Sequence, residues 1–409
     1  MLHMRQTAEW SSRTTPIERA LAWRRKDYSW TMSSGTAAAR RHVVIVGGGV
    51  AAVETLLALR AAPRGGALDV TLVAPNEQLE YRPLAVLEPF GPAPTRRFPL
   101  AAIAADGDAA LVRDTLRAVD GAARAIVLGD GSRIAYDVLV VAAGARRQPA
   151  LKSAETFLDA AGGADLRGLL GELDAGAVRS VAFVVPPGSG WALPLYELTL
   201  LTAHHARERG LRDVELTLVT HEPQPLAVVA GEGGAAVAQL LDDAGVRVLR
   251  GRRVCGHDGR TVVLEPPGGG PLLADRVVAL PRLAGPAIDG LPADAEGFVH
   301  VDDHMRVPGL DGVYAVGDAT TFPVKQGGLA AQQADLAAAL IARAAGPDPS
   351  PRARLRSILL TGDEPLYLQA LIEGARCVAS SASRTPPWSP PQKIAARYLA
   401  PYLDALDGG

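Results

Sequence analysis

The stretch RHVVIVGGGVAAVETLLALRAA, Arg41 to Ala62, admits few folds. Its short run of apolar β-branched residues reads as a buried strand, and Val53, Leu56, Leu57 and Leu59 fall at helical spacing after the glycines. A strand, a tight turn and a helix are thus laid end to end, and LDVTLVAPN (68–76) supplies the strand of a βαβ unit. The turn Gly47-Gly48-Gly49-Val50-Ala51-Ala52 fits GxGxxA. Gly47 permits the sharp turn, Gly49 lets backbone approach a pyrophosphate, and Ala52 lets helix and strand pack closely. The N–H groups at the helix start then face the phosphates, so the unit reads as a dinucleotide site. The usual ribose-binding acid at the end of the second strand is missing, because Ala74 stands there, and Asn76 or Glu77 is left to substitute.

A second cycle follows, with a strand over 180–185, a helix from about Pro194 to Arg209 and a strand over 214–220. Here the fingerprint position reads Pro186-Pro187-Gly188-Ser189-Gly190-Trp191. Pro186 withholds an N–H and fixes φ, and Trp191 puts an indole where only Gly or Ala allows close packing. Binding of NAD(P)H in the usual mode is not expected. Further on, GVYAVGDAT (312–320) is a buried strand ending in Gly317-Asp318, and a helix begins near Gly328, its N-terminus suited to negative charge. The predicted class is α/β, two interleaved doubly wound Rossmann-like domains with a C-terminal extension. The first domain spans 41–150 and returns at 286–345, the degenerate second spans 151–285, and the extension spans 346–409 as a separate Pro-rich tail. Residues 1–40 are polar and unpatterned, and read as a disordered extension or a misassigned start ahead of Met32.

Composition narrows the partners. A net charge of −2 and the lack of a basic stripe argue against nucleic acid. Cys255 and Cys377 lie far apart without CxxC spacing, so neither a zinc site nor a redox disulfide is read, and no metal is expected. No apolar run has a spanning helix's length of about 18 residues, and a reducing cytoplasm suits the cysteine usage. Only four residues are lysine (26, 152, 325 and 393), against 38 arginines, which draws attention to Lys325 beside the Gly-Asp strand end. In the last segment Ile394, Tyr398, Leu399, Tyr402 and Leu403 recur at near-helical spacing. They read as a packed or homodimer-forming helix, the alternative being an interfacial anchor at the inner face of a membrane. His204 and His205 read as a solvated helix face.

Together VVIVGGGVAAVE, YDVLVVAAGA and GVYAVGDAT resemble the flavoproteins with two dinucleotide-binding domains, the FAD- and NAD(P)H-dependent disulfide reductase superfamily. GDATTFPVKQGGLAAQQAD, with YRPLA after the second strand, is similar to the sulfide:quinone oxidoreductase and type II NADH dehydrogenase branch. The resemblance covers about residues 41 to 345. It implies FAD, with Gly47 to Ala52 on the pyrophosphate, Asn76 or Glu77 on the ribose and Leu116 near the adenine. It places Arg82, Ala143 and Gly144 around the cofactor, Gly317 and Asp318 at the ribitol, and Lys325, Gly327, Gly328 and Leu329 facing the isoalloxazine. WALPLYE (191–197) is similar to the segment of sulfide:quinone oxidoreductases in which a catalytic cysteine precedes a Pro-x-Tyr-Glu run, and here Trp191 takes that cysteine's position. The implied function is an FAD-dependent oxidoreductase without the sulfur relay. Its small-molecule electron donor meets the flavin near Trp191 and Lys325, and its acceptor is a quinone or similar molecule. Two alternatives stand beside it, an NAD(P)H-dependent reductase with an atypical site and a partner-dependent flavoprotein subunit.

Overall fold

A computed structural model describes residues 40–63, 68–91, 95–152, 154–157, 162–265, 272–343, 352–374 and 376–407. The proposed N-terminal extension therefore lies outside the described residues, apart from Arg40. The first module runs β1 (Arg41–Val46), α1 (Val50–Ala61), β2 (Leu68–Val73), β3 (Ala109–Val112) and β4 (Val138–Val141). The chain then enters the second module with β5 (Ser180–Val185), α2 (Leu193–Glu208), β6 (Glu215–Thr220), β7 (Arg247–Leu249) and β8 (Arg276–Ala279). It returns to the first through β9 (Val313–Ala315) and α3 (Gly327–Ala342). It ends in β10 (Ala353–Leu359), β11 (Leu366–Glu373), β12 (Arg376–Ser383) and α4 (Leu399–Asp407).

Two parallel sheets carry the architecture. The first has the order β9-β4-β1-β2-β3, and the second runs from the short strand Glu155–Thr156 through β8-β5-β6-β7. Their central strands are apolar along their length, Val43 to Ile45 and Ala182 to Phe183 being wholly buried, as expected of sheets covered on both faces. In each sheet the strand order reverses beside the first strand of the module, and this opens the crevice in which such folds bind ligands. The loops after β1, β4 and β9 share one crevice edge because those strands are neighbours. Small residues let α1 and α3 lie close to that edge: Ala51, Ala52, Ala330, Ala331 and Ala334 are all buried.

The described residues after 346, namely 352–374 and 376–407, are packed, which corrects their reading as a separate tail. β10, β11 and β12 form an antiparallel sheet, with Leu355, Leu359 and Leu368 in the core of the second module. Leu399, Tyr402 and Leu403 of α4 lie in the core of the first, at most 1% exposed. Full burial of side chains this size contributes about 1.5–3 kcal/mol each. Leu399, Tyr402 and Leu403 of α4 are thereby placed inside the protein, the arrangement of a packed helix. Pro401 sits in the first turn of α4, where no intrahelical N–H is lost. Among the described residues, no helix is long and apolar enough to cross a membrane.

Candidate functional site: an open and a closed nucleotide crevice

The first glycine loop is shaped by contacts that leave one side free. Gly47 has φ +133, and a Cβ there would stand 2.2 Å from the carbonyl oxygen of Ala142, so only glycine fits. A Cβ on Gly48 would press on Leu100 at 2.6 Å. Gly49 is different, since a Cβ there meets nothing within 4 Å, and no side chain caps α1 behind it. Open space over backbone at an uncapped twelve-residue helix is the cradle a pyrophosphate requires. Val50 is half-buried and Ala51 and Ala52 are packed beneath the loop. Ala143 and Gly144 follow β4 on the same edge, Gly144 with φ +71 and nothing within 4 Å of where a Cβ would stand. At the outer end Asn76 and Glu77 are exposed, and Glu77 pairs with Arg113 at 2.8 Å just past β3. Leu116 opens a strand, Leu116–Asp120, paired with Ala125–Leu128 beyond that point.

The opposite end is built by the turn after β9. Gly317 (φ +71) is wedged between α1 and α3, with Ala51 Cβ 3.0 Å and Ala330 Cβ 3.4 Å from where its own Cβ would be, and its N–H donates to Gln333 Oε1 at 2.7 Å. Asp318 is half-buried, and burial raises its carboxyl pKa against the pull of Lys325 and Arg147. Gln326 caps α3 by accepting from the Leu329 N–H at 2.8 Å. Gly327 is backed by Ile394, whose Cδ1 would lie 2.9 Å from a Cβ, and Gly328 by the Gln326 side chain.

Lys325 turns the other way. Its ammonium donates to the Thr320 carbonyl and sits 4.0 Å from the centre of the Phe298 ring, and burial lowers its pKa to about 8. Its N–H reaches across to the Gly190 carbonyl at 3.1 Å. It lines a hollow of about 540 Å³ together with Ser189, Trp191, His221, Arg282 and Phe298. Trp191 also lines a second hollow of about 210 Å³ with Arg82, Arg147, Gln326, Gly327 and Lys393. The tryptophan thus stands between two chambers. Arg82 holds Glu88 through Nη2 at 2.8 Å, and Thr95 adds a hydrogen bond to the same carboxylate.

The second loop is closed by the protein itself. The Gly188 carbonyl accepts from the Leu283 N–H at 2.9 Å, and a Cβ on Gly190 would meet Lys325 Cγ at 2.5 Å. Just past β6, where an acid would take a ribose, Glu222 accepts from Tyr196 (2.6 Å), Thr220 (2.8 Å) and the Ala227 N–H (2.9 Å). His221 Nδ1 lies 3.2 Å from the Val185 carbonyl oxygen. Burial, with Glu222 alongside, holds the Tyr196 phenol well above its usual pKa, so the clasp keeps its proton on the tyrosine.

Residues 11–166 and 200–342 match the family model described as pyridine nucleotide-disulphide oxidoreductase. The chain belongs to this family. The cofactor that goes with this family is FAD, and the open crevice fits that dinucleotide by its bare Gly49 surface and uncapped helix. The match leaves out 167–199, which holds β5 and the Pro186–Trp191 loop. The chain is 31% identical over 227 residues to the ferredoxin reductase component of chlorobenzene dioxygenase from Cupriavidus sp. (strain PS12), covering 50% of this chain and 48% of that protein. It is 28% identical over 221 residues to rhodocoxin reductase from Rhodococcus erythropolis, covering 50% and 47%. It thus spans about half the length of each. In fold it is similar to the sulfide:quinone oxidoreductase of Aquifex aeolicus, with a TM-score of 0.73, 22% identity and coverage of 84% of this chain and 87% of the other. It is also similar to a putidaredoxin reductase–putidaredoxin complex, with a TM-score of 0.59, 23% identity and coverage of 82% and 83%.

In this flavoprotein the C-terminal segment supplies site residues that the sequence alone does not bring together. Glu54, wholly buried on α1, accepts from the N–H groups of Arg397 (2.7 Å) and Tyr398 (2.9 Å) and from Leu399, and so caps α4. Glu197, also wholly buried, pairs with Lys393 at 2.7 Å. In the sequence Lys393 stands out only as one of four lysines, and Glu197 only as the last residue of WALPLYE. Cys255 is exposed on the strand Arg253–His257, and Cys377 lies on β12 near the Ala230 carbonyl; neither lines the two hollows beside Trp191. His204 and His205, read above as a solvated face, are half-buried on α2 beside Asp363 at 3.5 Å and Asp174 at 2.8 Å. Among the described residues no three His, Cys, Asp or Glu side chains gather as a metal site.

Proposed function

We propose that the protein passes electrons from a small donor, seated in the larger hollow by Trp191 and Lys325, through FAD to a quinone or another diffusible acceptor. Gly47 to Ala52 hold the pyrophosphate, Glu77 or Asn76 the ribose, and Gly317 with Asp318 the ribitol. The residues from Gly327 to Leu329 face the ring. FAD supplies two-electron redox chemistry, and the protein supplies position and field. The observation that carries the reading is the closed second loop: with the Gly188 and Gly190 carbonyls bonded and Glu222 occupied, the fold keeps the outline of a nicotinamide nucleotide site without its binding groups. A thiolate is needed to accept sulfur, and Trp191 in place of the cysteine removes the sulfur relay.

A second acceptor is favoured by the relatives at 31% and 28% identity, one named as a ferredoxin reductase component and the other as a reductase of rhodocoxin. In that reading the partner is a small iron–sulfur protein. The two are separated by photoreducing the flavin without oxygen and adding a soluble quinone or a ferredoxin in turn. Fast reoxidation by the quinone supports the first reading; fast reoxidation by the ferredoxin alone replaces it with the second.

A further inference from the structure

The larger hollow holds polar groups that the fold leaves unused. Ser189 is 8% exposed and lines the hollow, yet its hydroxyl makes no hydrogen bond with a described residue. Buried polar groups are normally satisfied, so this hydroxyl points to a ligand atom beside it. Arg282 follows β8, and its Nε stands 3.9 Å from where a Cβ of Gly188 would be, which sets the guanidinium beside the closed loop. Glu296 lies on the wall of the same hollow and is exposed, as Arg282 is. Among the described residues neither of the two forms an ion pair or a side-chain hydrogen bond, with the other or elsewhere. The other titratable side chains of the wall are committed: Glu222 to Tyr196, Thr220 and Ala227, Lys325 to the Thr320 carbonyl and the Phe298 ring, and His221 at the Val185 carbonyl. Trp191, Phe298 and Phe322, all half-buried, give the wall flat apolar surface.

We propose that the donor taken by this hollow is an α-amino acid with an apolar or aromatic side chain, bound as its zwitterion. Its carboxylate meets Arg282 and the Ser189 hydroxyl, its ammonium meets Glu296, and its side chain lies on the aromatic wall. The inference rests on the reading that the small donor occupies this hollow, and it names the donor's class. An arginine fork matches a carboxylate, and hydrogen bonds between ionised groups are the strong ones. A plain acid or a plain amine would leave one of the two free charges without a partner, whereas a zwitterion meets both. The reaction moves two electrons. The Cα–H bond breaks and its electron pair leaves with the hydrogen as hydride for the flavin. The electron pair of one N–H bond forms the second Cα–N bond, and that proton leaves past Glu296 to solvent. Water then hydrolyses the released imine to a 2-oxo acid and ammonium.

The test is anaerobic mixing of the FAD-loaded protein with phenylalanine, each enantiomer in turn, while flavin absorbance is followed. One enantiomer is expected to bleach the flavin about tenfold more efficiently than 2-phenylethylamine, which lacks the carboxylate. The acid 3-phenylpropionate, which has no amine to oxidise, is expected to compete with phenylalanine without bleaching. Arg282→Met is expected to raise the half-saturating concentration of phenylalanine and to shrink its preference over 2-phenylethylamine by about tenfold, the loss of one hydrogen bond between charged groups. Arg282→Gln carries the same expectation should the first fail to fold. An equal response to phenylalanine and to the amine overturns the proposal, as does a preference that both Arg282 variants leave unchanged. If neither enantiomer bleaches the flavin while the photoreduced protein is still reoxidised by a quinone or a ferredoxin, the donor class falls and the electron-transfer reading stands. If reoxidation fails as well, both fall.

Discussion

The two modules pair their first strands alike, β1 with β2 from Arg41↔Leu68 to Val46↔Val73 and β5 with β6 from Ser180↔Glu215 to Val185↔Thr220, and four strands of each sheet share one order, β4-β1-β2-β3 and β8-β5-β6-β7. They differ in the six residues that follow. Gly47 to Ala52 expose backbone over an uncapped helix, whereas in Pro186 to Trp191 the Gly188 and Gly190 carbonyls are bonded and an indole stands at the helix entry. The strands are kept by burial, which any apolar sequence of the right period satisfies. The ligand is kept by a turn in which single atoms decide. A scaffold therefore outlasts its site, and family membership alone does not say which of two crevices is in use.

The largest effect is expected at Gly49. Its Cβ position is open, so Gly49→Trp leaves the protein folded but fills the cradle, and the purified protein is expected to lose its FAD bands while its far-ultraviolet dichroism is kept. Gly47→Ala attacks the scaffold instead, because the new Cβ meets the Ala142 carbonyl at 2.2 Å in a glycine-only conformation. Strain of this kind costs about 1–3 kcal/mol, read as a lower denaturation midpoint. In the second module Trp191→Gly is expected to leave NADH binding undetectable, since Pro186 still lacks an N–H and the Gly188 and Gly190 carbonyls stay bonded. Binding in a fluorescence titration of that variant would make the indole the whole barrier.

Smaller effects sharpen the contrast. Lys325→Met removes a positive charge from the chamber beside the flavin and is expected to lower the potential by tens of millivolts, with one tenfold step worth about 30 mV. Burial lowers the pKa of Lys325 to about 8, so its charge is present below that pH and lost above it. The difference between wild type and variant should accordingly fade as a redox titration is repeated at pH above about 8, and a constant difference would assign the effect to packing. Sulfide is expected to drive no efficient turnover with a soluble quinone, and Cys255→Ser and Cys377→Ser are expected to leave flavin content unchanged. Loss of a sulfide-dependent activity in either would restore a sulfur relay.

Much of the first crevice is legible in the sequence because its parts are local. A strand, a glycine turn and a helix occupy 41–61, and the Gly317-Asp318 end and the start of α3 announce themselves the same way. The helix predicted from about Pro194 starts one residue earlier, at Leu193, and ends at Glu208. The C-terminal extension is not legible, because its contacts are distant: Glu54 meets Leu399 across 345 residues and Glu197 meets Lys393 across 196. Prolines there suggest a loose tail, although Leu366 to Ile372 alternate buried and half-buried as a half-buried strand does. The clasp on Glu222 escapes for a related reason. Thr220 and Ala227 are its neighbours in the chain, but Tyr196 lies 26 residues away and approaches it only once α2 and β6 are packed together.

The contrast between an open and a closed crevice is tested most directly by mixing the FAD-loaded protein with NADH, and separately with NADPH, in the absence of oxygen while following flavin absorbance. The closed loop leads to bleaching that is slow or absent, with dithionite afterwards reducing the flavin fully. Rapid bleaching by low-micromolar NADH or NADPH would contradict it and show that the second crevice binds a nicotinamide nucleotide despite Pro186 and Trp191.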